Sequence, residues 1–189
     1  MALLLTTPPS AEPVALADVK AHLRLAITDD DDYITALITA ARRVIESRYA
    51  LALMSQSWAQ FADAWPRDGV FHIPLWPVQS VLSLTVFADD DSFVTINPYD
   101  YYLDLATRPA RLALRQGRVF APPGRNINGL KISFVAGFGA DATAVPSEIK
   151  EGLMATVADW YQNRGDVVGG TLPATAIEAL AAYKNARLA

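Results

Sequence analysis

Two periodicities divide this chain, and their order restricts the fold more than any other feature. From Val14 to Ala50, and again after Pro146, apolar residues recur at the three- and four-residue spacing of amphipathic helices. Between Ser55 and Gly139 the pattern changes to short β-prone runs separated by Pro, Gly, Asn and Asp. Segregated elements predict an α+β fold: N- and C-terminal helices form a helical core, and a mainly antiparallel β subdomain is inserted between them. A doubly wound parallel sheet would need strands and helices to alternate.

Residues 1–13 contain Pro8, Pro9 and Pro13 and read as an extended lead-in. A short helix is predicted from about Val14 to Leu25, carrying Leu16, Val19 and Leu23. A clearer one follows from about Asp31 to Ala50, with Ile34, Leu37, Ile38, Ala41, Ile45 and Tyr49 on one stripe. The run Asp29 to Asp32 precedes it and reads as a cap, its carboxylates accepting from the orphan amides. The alternating acids, central glycine and distal glutamate of a calcium loop are missing. Strand candidates are 56–65, 70–73, 81–87, 93–96, 101–105, 111–114 and 130–138, with Asp89 to Ser92 and Asn128-Gly129 as turns. Alternation of Leu82, Leu84 and Val86 with Ser83 and Thr85, and of Leu130, Ile132 and Phe134 with Lys131 and Ser133, predicts a sheet with one buried face. Ser147 is expected to cap a helix bearing Ile149, Leu153, Met154, Val157, Trp160 and Tyr161. A connector from Asp166 to Pro173 leads to a last, weaker helix from about Ala174 to Leu188. The expected organisation is one domain, 1–189: N-terminal helices 1–54, β insertion 55–140, core helix 146–165 and C-terminal helix 174–189.

Little in this chain points to chemistry. It has no cysteine, which excludes disulfides, thiolate nucleophiles and cysteine-held metals. His22 and His72 have no metal-ligand partner at local spacing, and no nucleophile elbow, phosphate-binding loop or dinucleotide fingerprint occurs. Neither a metal nor a cofactor is implied. Trp58 and Trp160 fall in apolar segments and read as core, whereas Trp65 and Trp76 flank turns as half-exposed packing residues. The N-terminal apolar run is too short for a signal-peptide core, and no segment has the roughly 20 apolar residues of a membrane span, so neither export by a signal nor membrane insertion is expected. A net charge of −4 disfavours a protein whose main task is to grip phosphates.

Several landmarks follow one another in a familiar order. His22-Leu23-Arg24 leads into the acidic run and then Ala40-Ala41-Arg42-Arg43-Val44-Ile45-Glu46. Next come Met54-Ser55-Gln56-Ser57-Trp58 and Ile73-Pro74-Leu75-Trp76-Pro77-Val78-Gln79-Ser80-Val81. Val135-Ala136-Gly137-Phe138-Gly139 with Val145-Pro146 follow, then Trp160-Tyr161-Gln162-Asn163-Arg164-Gly165. This layout, spanning nearly the whole chain, resembles the phage head-tail connector (adaptor) proteins that carry a β insertion, as found in tailed phages, prophages and gene transfer agents.

The resemblance implies a structural subunit rather than an enzyme. It would form a homo-oligomeric, dodecameric ring on the portal protein, extend the DNA channel without sequence-specific binding, and pass the joint to a stopper or tail protein. Its place would be the bacterial host cytoplasm during assembly and the head-tail joint afterwards. An acidic, motif-poor domain suits a conduit in which DNA must slide. The rival readings are an enzyme whose site assembles from sequence-distant residues, such as His22 or His72 against a carboxylate, and a nucleic-acid-binding module.

Two sets of residues are candidate contacts. The C-terminal segment is expected to be mobile in the free subunit and ordered on the portal, through Ile177, Leu180, Tyr183, Lys184, Arg187 and Leu188. The second set is a charge pattern. From Asp89 to Leu105 there are acids and no base; from Thr107 to Lys131 there are bases, including Arg108, Arg111, Arg115, Arg118 and Arg125, and no acid. Either the blocks neutralise each other across adjacent strands of one subunit, or Asp89, Asp90 and Asp91 of one copy meet Arg108, Arg111, Arg115 and Arg118 of the next. DNA contact by the basic block is less favoured, because Arg111 and Arg115 alternate with Leu112 and Leu114.

Overall fold

A computed structural model of the chain describes residues 2–117, 120–163 and 171–184. They form two compact units: Met1–Pro9 with Ser55–Phe138, and Ser10–Met54 with Gly139–Ala189. The architecture is α+β, with antiparallel sheets in the first unit and helices in the second.

The helical unit contains α1 (Leu16–Leu23), α2 (Asp31–Tyr49), α3 (Ser147–Gln162) and α4 (Ala174–Ala179), with α3 packed against each of the others. α2 and α3 bury most of the stripe their sequences prescribe, Ile34, Ile38, Ala41 and Ile45 on α2 and Ile149, Leu153, Val157 and Trp160 on α3, whereas α1 buries only Val19 and Ile177 of α4 is exposed. α1 and α2 both end on a residue with left-handed backbone, Arg24 at φ 56° and Ala50 at φ 52°. Both positions are ones where glycine is usual.

The acidic run before α2 works differently from a side-chain cap. Asp30 occupies the N-cap position but makes no capping hydrogen bond. Its carboxylate instead accepts from the Tyr161 hydroxyl of α3 at 2.6 Å, and Asp31 pairs with Lys20 of α1 at 2.6 Å. The acids therefore fasten α2 to its neighbours, while Asp31 and Asp32 still lie at the positive end of the helix dipole. Nor does Ser147 cap α3: the N-cap is Pro146, and Ser147 is already helical.

Among the described residues of the β unit, eight strands form two sheets. β1 (Ala2–Thr7), β2 (Gln56–Ala62), β8 (Leu130–Ala136), β4 (Val78–Phe87) and β5 (Phe93–Thr95) are ordered β1-β2-β8-β4-β5; β3 (Val70–Ile73), β7 (Ala110–Leu114) and β6 (Tyr101–Asp104) are ordered β3-β7-β6. Every pairing is antiparallel. β8 shows the alternation its sequence promised, burying Leu130, Ile132, Phe134 and Ala136 between half-buried neighbours.

Two features depart from expectation. The lead-in is not loose extended chain: Ala2–Thr7 forms β1, placing these residues with the β unit rather than with the helices. The alternation along β4 is interrupted, since Leu82 is exposed while Leu84 and Thr85 are buried. The reason is a bulge: Val81 and Ser83 face the successive β8 residues Phe134 and Ser133, leaving Leu82 without a partner and reversing the facing beyond it. A second bulge leaves Gln79 unpaired, and its amide donates to the Gly137 carbonyl and the Ser55 hydroxyl, both at 2.8 Å.

Candidate assembly surfaces

The two charge blocks are organised by the strands that carry them. Asp89, Asp90 and Asp91 form the turn between β4 and β5, with Asp91 at φ 67° and its amide donating to the Ala88 carbonyl. The Asp90 carboxylate accepts from the hydroxyl and amide of Ser92, at 2.6 and 3.0 Å, and these bonds hold its pKa below the ordinary value. Asp91 accepts from Arg125 Nε at 2.7 Å, and the Arg125 guanidinium also lies 4.4 Å from the centre of the Phe87 ring.

In the three-stranded sheet, Arg111 of β7 stands opposite Asp104 of β6 and His72 of β3. Arg111 donates to Asp104 Oδ2 at 2.6 and 3.1 Å, which lowers the Asp104 pKa. Arg115 stacks its guanidinium 3.8 Å from the centre of the exposed Tyr102 ring. Arg108 lies over Trp76 at 5.1 Å, and burial lowers its pKa. Arg118 lies outside the described residues. Two basic side chains of this block, Arg111 and Arg125, thus meet acids of the other block within the chain, and Arg108, Arg115 and Lys131 lie on aromatic rings.

The C-terminal candidates divide by exposure. α4 runs only from Ala174 to Ala179 and is followed by a single 3₁₀ turn, Ala181–Tyr183. This segment packs on the helical unit: Ala176 and Leu180 are wholly buried, and Leu180 lies against Gly152 of α3, where an added Cβ would sit 3.1 Å from Leu180 Cγ. Leu180 is therefore committed to the helical unit. Ile177 and Lys184 are exposed; Tyr183 is half-buried, and that burial, with the charge of Glu148, raises its pKa. Arg187 and Leu188 lie outside the described residues.

Among the aromatic residues, Trp160 is buried, with its indole donating to the Thr171 carbonyl at 2.9 Å. Trp58, expected in the core, is only half-buried on β2, opposite Leu5 of the edge strand. Trp65 packs on Phe71 and Phe120, and Trp76 meets Phe138 edge-on. His22 and His72 are both exposed. Among the described residues, no three His, Asp or Glu side chains are grouped to hold a metal ion, and no helix is long and apolar enough to cross a membrane.

Sequence patterning missed that two apolar strands at opposite edges of the five-stranded sheet are exposed. Leu3, Leu4 and Leu5 of β1 are 37%, 56% and 39% exposed, and Phe93 and Val94 of β5 are 64% and 66% exposed. Beside β5 is a cavity of about 410 Å³ whose walls include Phe87, Phe93, Val94, Ile96, Phe120 and Pro122.

The profile of one family, described as phage gp6-like head-tail connector protein, matches residues 13–89, which hold α1, α2 and β2 to β4. Three solved structures share the fold along its entire length. A chain in the neck of an empty GTA particle computed with C6 symmetry has a TM-score of 0.86 at 23% identity, covering 100% of this chain and 98% of that one. A chain in the virion of a native gene transfer agent particle gives 0.80 at 22% identity, with the same coverage. A chain in the neck of a native GTA particle computed with C12 symmetry gives 0.79 at 23%, again covering 100% and 98%. No curated protein matches the sequence.

Proposed function

We propose that this chain is a structural head-tail connector subunit of a phage or gene-transfer-agent particle. In this reading it forms a ring on the portal vertex, lengthens the DNA channel and links the capsid to the stopper or tail, without catalysing a reaction. The observation that carries it is the agreement of the whole chain, helices and β insertion together, with a subunit found in a particle neck. The connector-family match over residues 13–89 supports it independently from sequence. The C6 and C12 symmetries of the related necks support a ring, and twelve copies satisfy both.

Exposed Ile177 and Lys184, with Tyr183 beside them and Arg187 and Leu188 beyond, are the proposed portal contacts. The proposed contact between subunits uses Asp89 and Asp90 on one side and Arg108, Arg115 and Arg118 on the other. Arg111 and Asp91 would exchange or share the partners they hold within the chain. Such pairs would set orientation more than they add affinity. Each contact can be weak in solution, because a symmetric portal presents many docking positions at once and repeated weak contacts then close the ring.

Removing the gene from a producing strain tests this reading. DNA-filled heads and separate tails are expected, and the purified protein should restore joined particles. Normal joined particles in its absence would overturn the proposal.

A further inference from the structure

The five-stranded sheet has two open edges. β1 forms one and β5 the other, four pairings apart. An exposed edge strand is a template for another strand, and proteins that remain single usually protect such edges with lysine, proline or pronounced bulging. β1 has neither charge nor proline in Ala-Leu-Leu-Leu-Thr-Thr, and its one irregularity lies between Leu5 and Thr7 at its end. All six of its residues are exposed, so neither face of a strand with three leucines is buried. In a solitary subunit β1 pairs with β2 but leaves its three leucines exposed.

β5 provides what β1 lacks. Its three residues are also all exposed. The hydrogen bonds Ala88 N–H to Ser92 and Ile96 N–H to Leu84 fix the phase of the β4–β5 ladder. By the alternation of an antiparallel pair, the backbone groups of Phe93 and Thr95 then point to the open edge. The apolar cavity beside Phe93 and Val94 offers a seat for a leucine arriving on an added strand.

We infer that β1 of one copy adds to the β5 edge of the next, so that the sheet continues from subunit to subunit. This deepens the ring reading above and rests on it. Strand direction makes the inference specific. Each pairing along β1-β2-β8-β4-β5 is antiparallel, so β1, β8 and β5 run the same way. Copies related by the modest rotation of a many-membered ring therefore join β5 to β1 in parallel. A two-fold dimer through β1 alone would pair antiparallel, use up that edge and stop growth.

Because the chain lacks cysteine, introduced pairs report contact directly. Full-length variants carrying Leu4→Cys with Phe93→Cys, Val94→Cys or Thr95→Cys, one pair per variant to sample the register, are oxidised after incubation with portal. At least one pair should give a ladder of cross-linked species beyond the dimer, while the single-cysteine variants stay uncross-linked. Leu4→Lys, at a site 56% exposed, should leave circular dichroism and melting of the free subunit unchanged and reduce ring formation at least tenfold. Rings visible on portals with no ladder from any pair overturn the edge contact and leave the connector reading standing. Dimers from Leu4→Cys alone as the main product overturn it in favour of a two-fold. Absence of any ring on the portal overturns both.

Discussion

Arg42 shows how one residue joins sequence-distant parts of the helical unit. Its guanidinium donates to Glu12 at 2.7 and 3.2 Å and to Glu46 at 2.9 Å, while Glu46 also accepts the Leu53 amide at 2.8 Å. Burial alone would lower the Arg42 pKa, but the hydrogen bond to Glu12 and the charges of Glu46 and Glu12 outweigh it and the net shift is upward. Removing one partner strands the others in a poorly solvated place. Arg42→Ala is expected to cost about 2 to 4 kcal/mol in urea unfolding, around the lower limit for breaking a buried pair because Glu12 remains partly solvated. Arg42→Lys should recover only part of that, because an ammonium cannot replace the planar fork. At Ala50 the sign reverses. An alanine at φ 52° is strained in a way glycine is not, so Ala50→Gly should stabilise by about 0.5 to 1 kcal/mol, read as a higher melting temperature. Asp104 gives a pH test. Its carboxyl is held below 3.8, first by the Arg111 hydrogen bond. A depressed carboxyl contributes stability that is present above the unfolded value and lost as pH falls through the folded one. NMR titration should therefore show Asp104 rising toward the ordinary value in Arg111→Met, and an unchanged titration would contradict the pairing.

At the scale of elements, the helices and most strands were legible because their residues bury one face and follow one period. The strands β3 and β8 and the helix α2 came out within a few residues of the expected bounds. β1 was not legible: Leu3-Leu4-Leu5 has no alternation, because neither face is buried in the single chain, and three nearby prolines suggested an extended lead-in outside the sheet. The interruption in β4 could not be foreseen either, since Leu82 and Leu84 are chemically alike and only the pairing with β8 creates the bulge at Leu82. α4 shows a third limit. Its weak stripe gave no sign of a seat on α3, where a glycine lets Leu180 sit close, and that fit is a property of two elements together. Gly152→Val should push Leu180 out and expose the segment from 174 to 184, detectable as lost hydrogen-exchange protection there while α2 stays protected. Unchanged protection would show that the seat does not depend on Gly152.

At the scale of the molecule, the order of helices, strands and helices carried the fold class, and the order of short landmarks carried the family resemblance. The contact surfaces were less legible, since a charge block does not state its partner: Arg111 lies beside Asp104 in the same chain, and the exposed leucines belong to a strand read as a lead-in. Truncation after Pro173 should give a protein that still folds but melts at lower temperature, because buried Ala176 and Leu180 are lost, and that no longer stays on the portal. Electron cryomicroscopy of the full-length protein mixed with portal tests ring assembly. A closed ring of twelve copies stacked on the portal axis, continuing its channel, is expected. A portal that remains bare, or that carries the protein as scattered single copies without a ring, would contradict ring assembly.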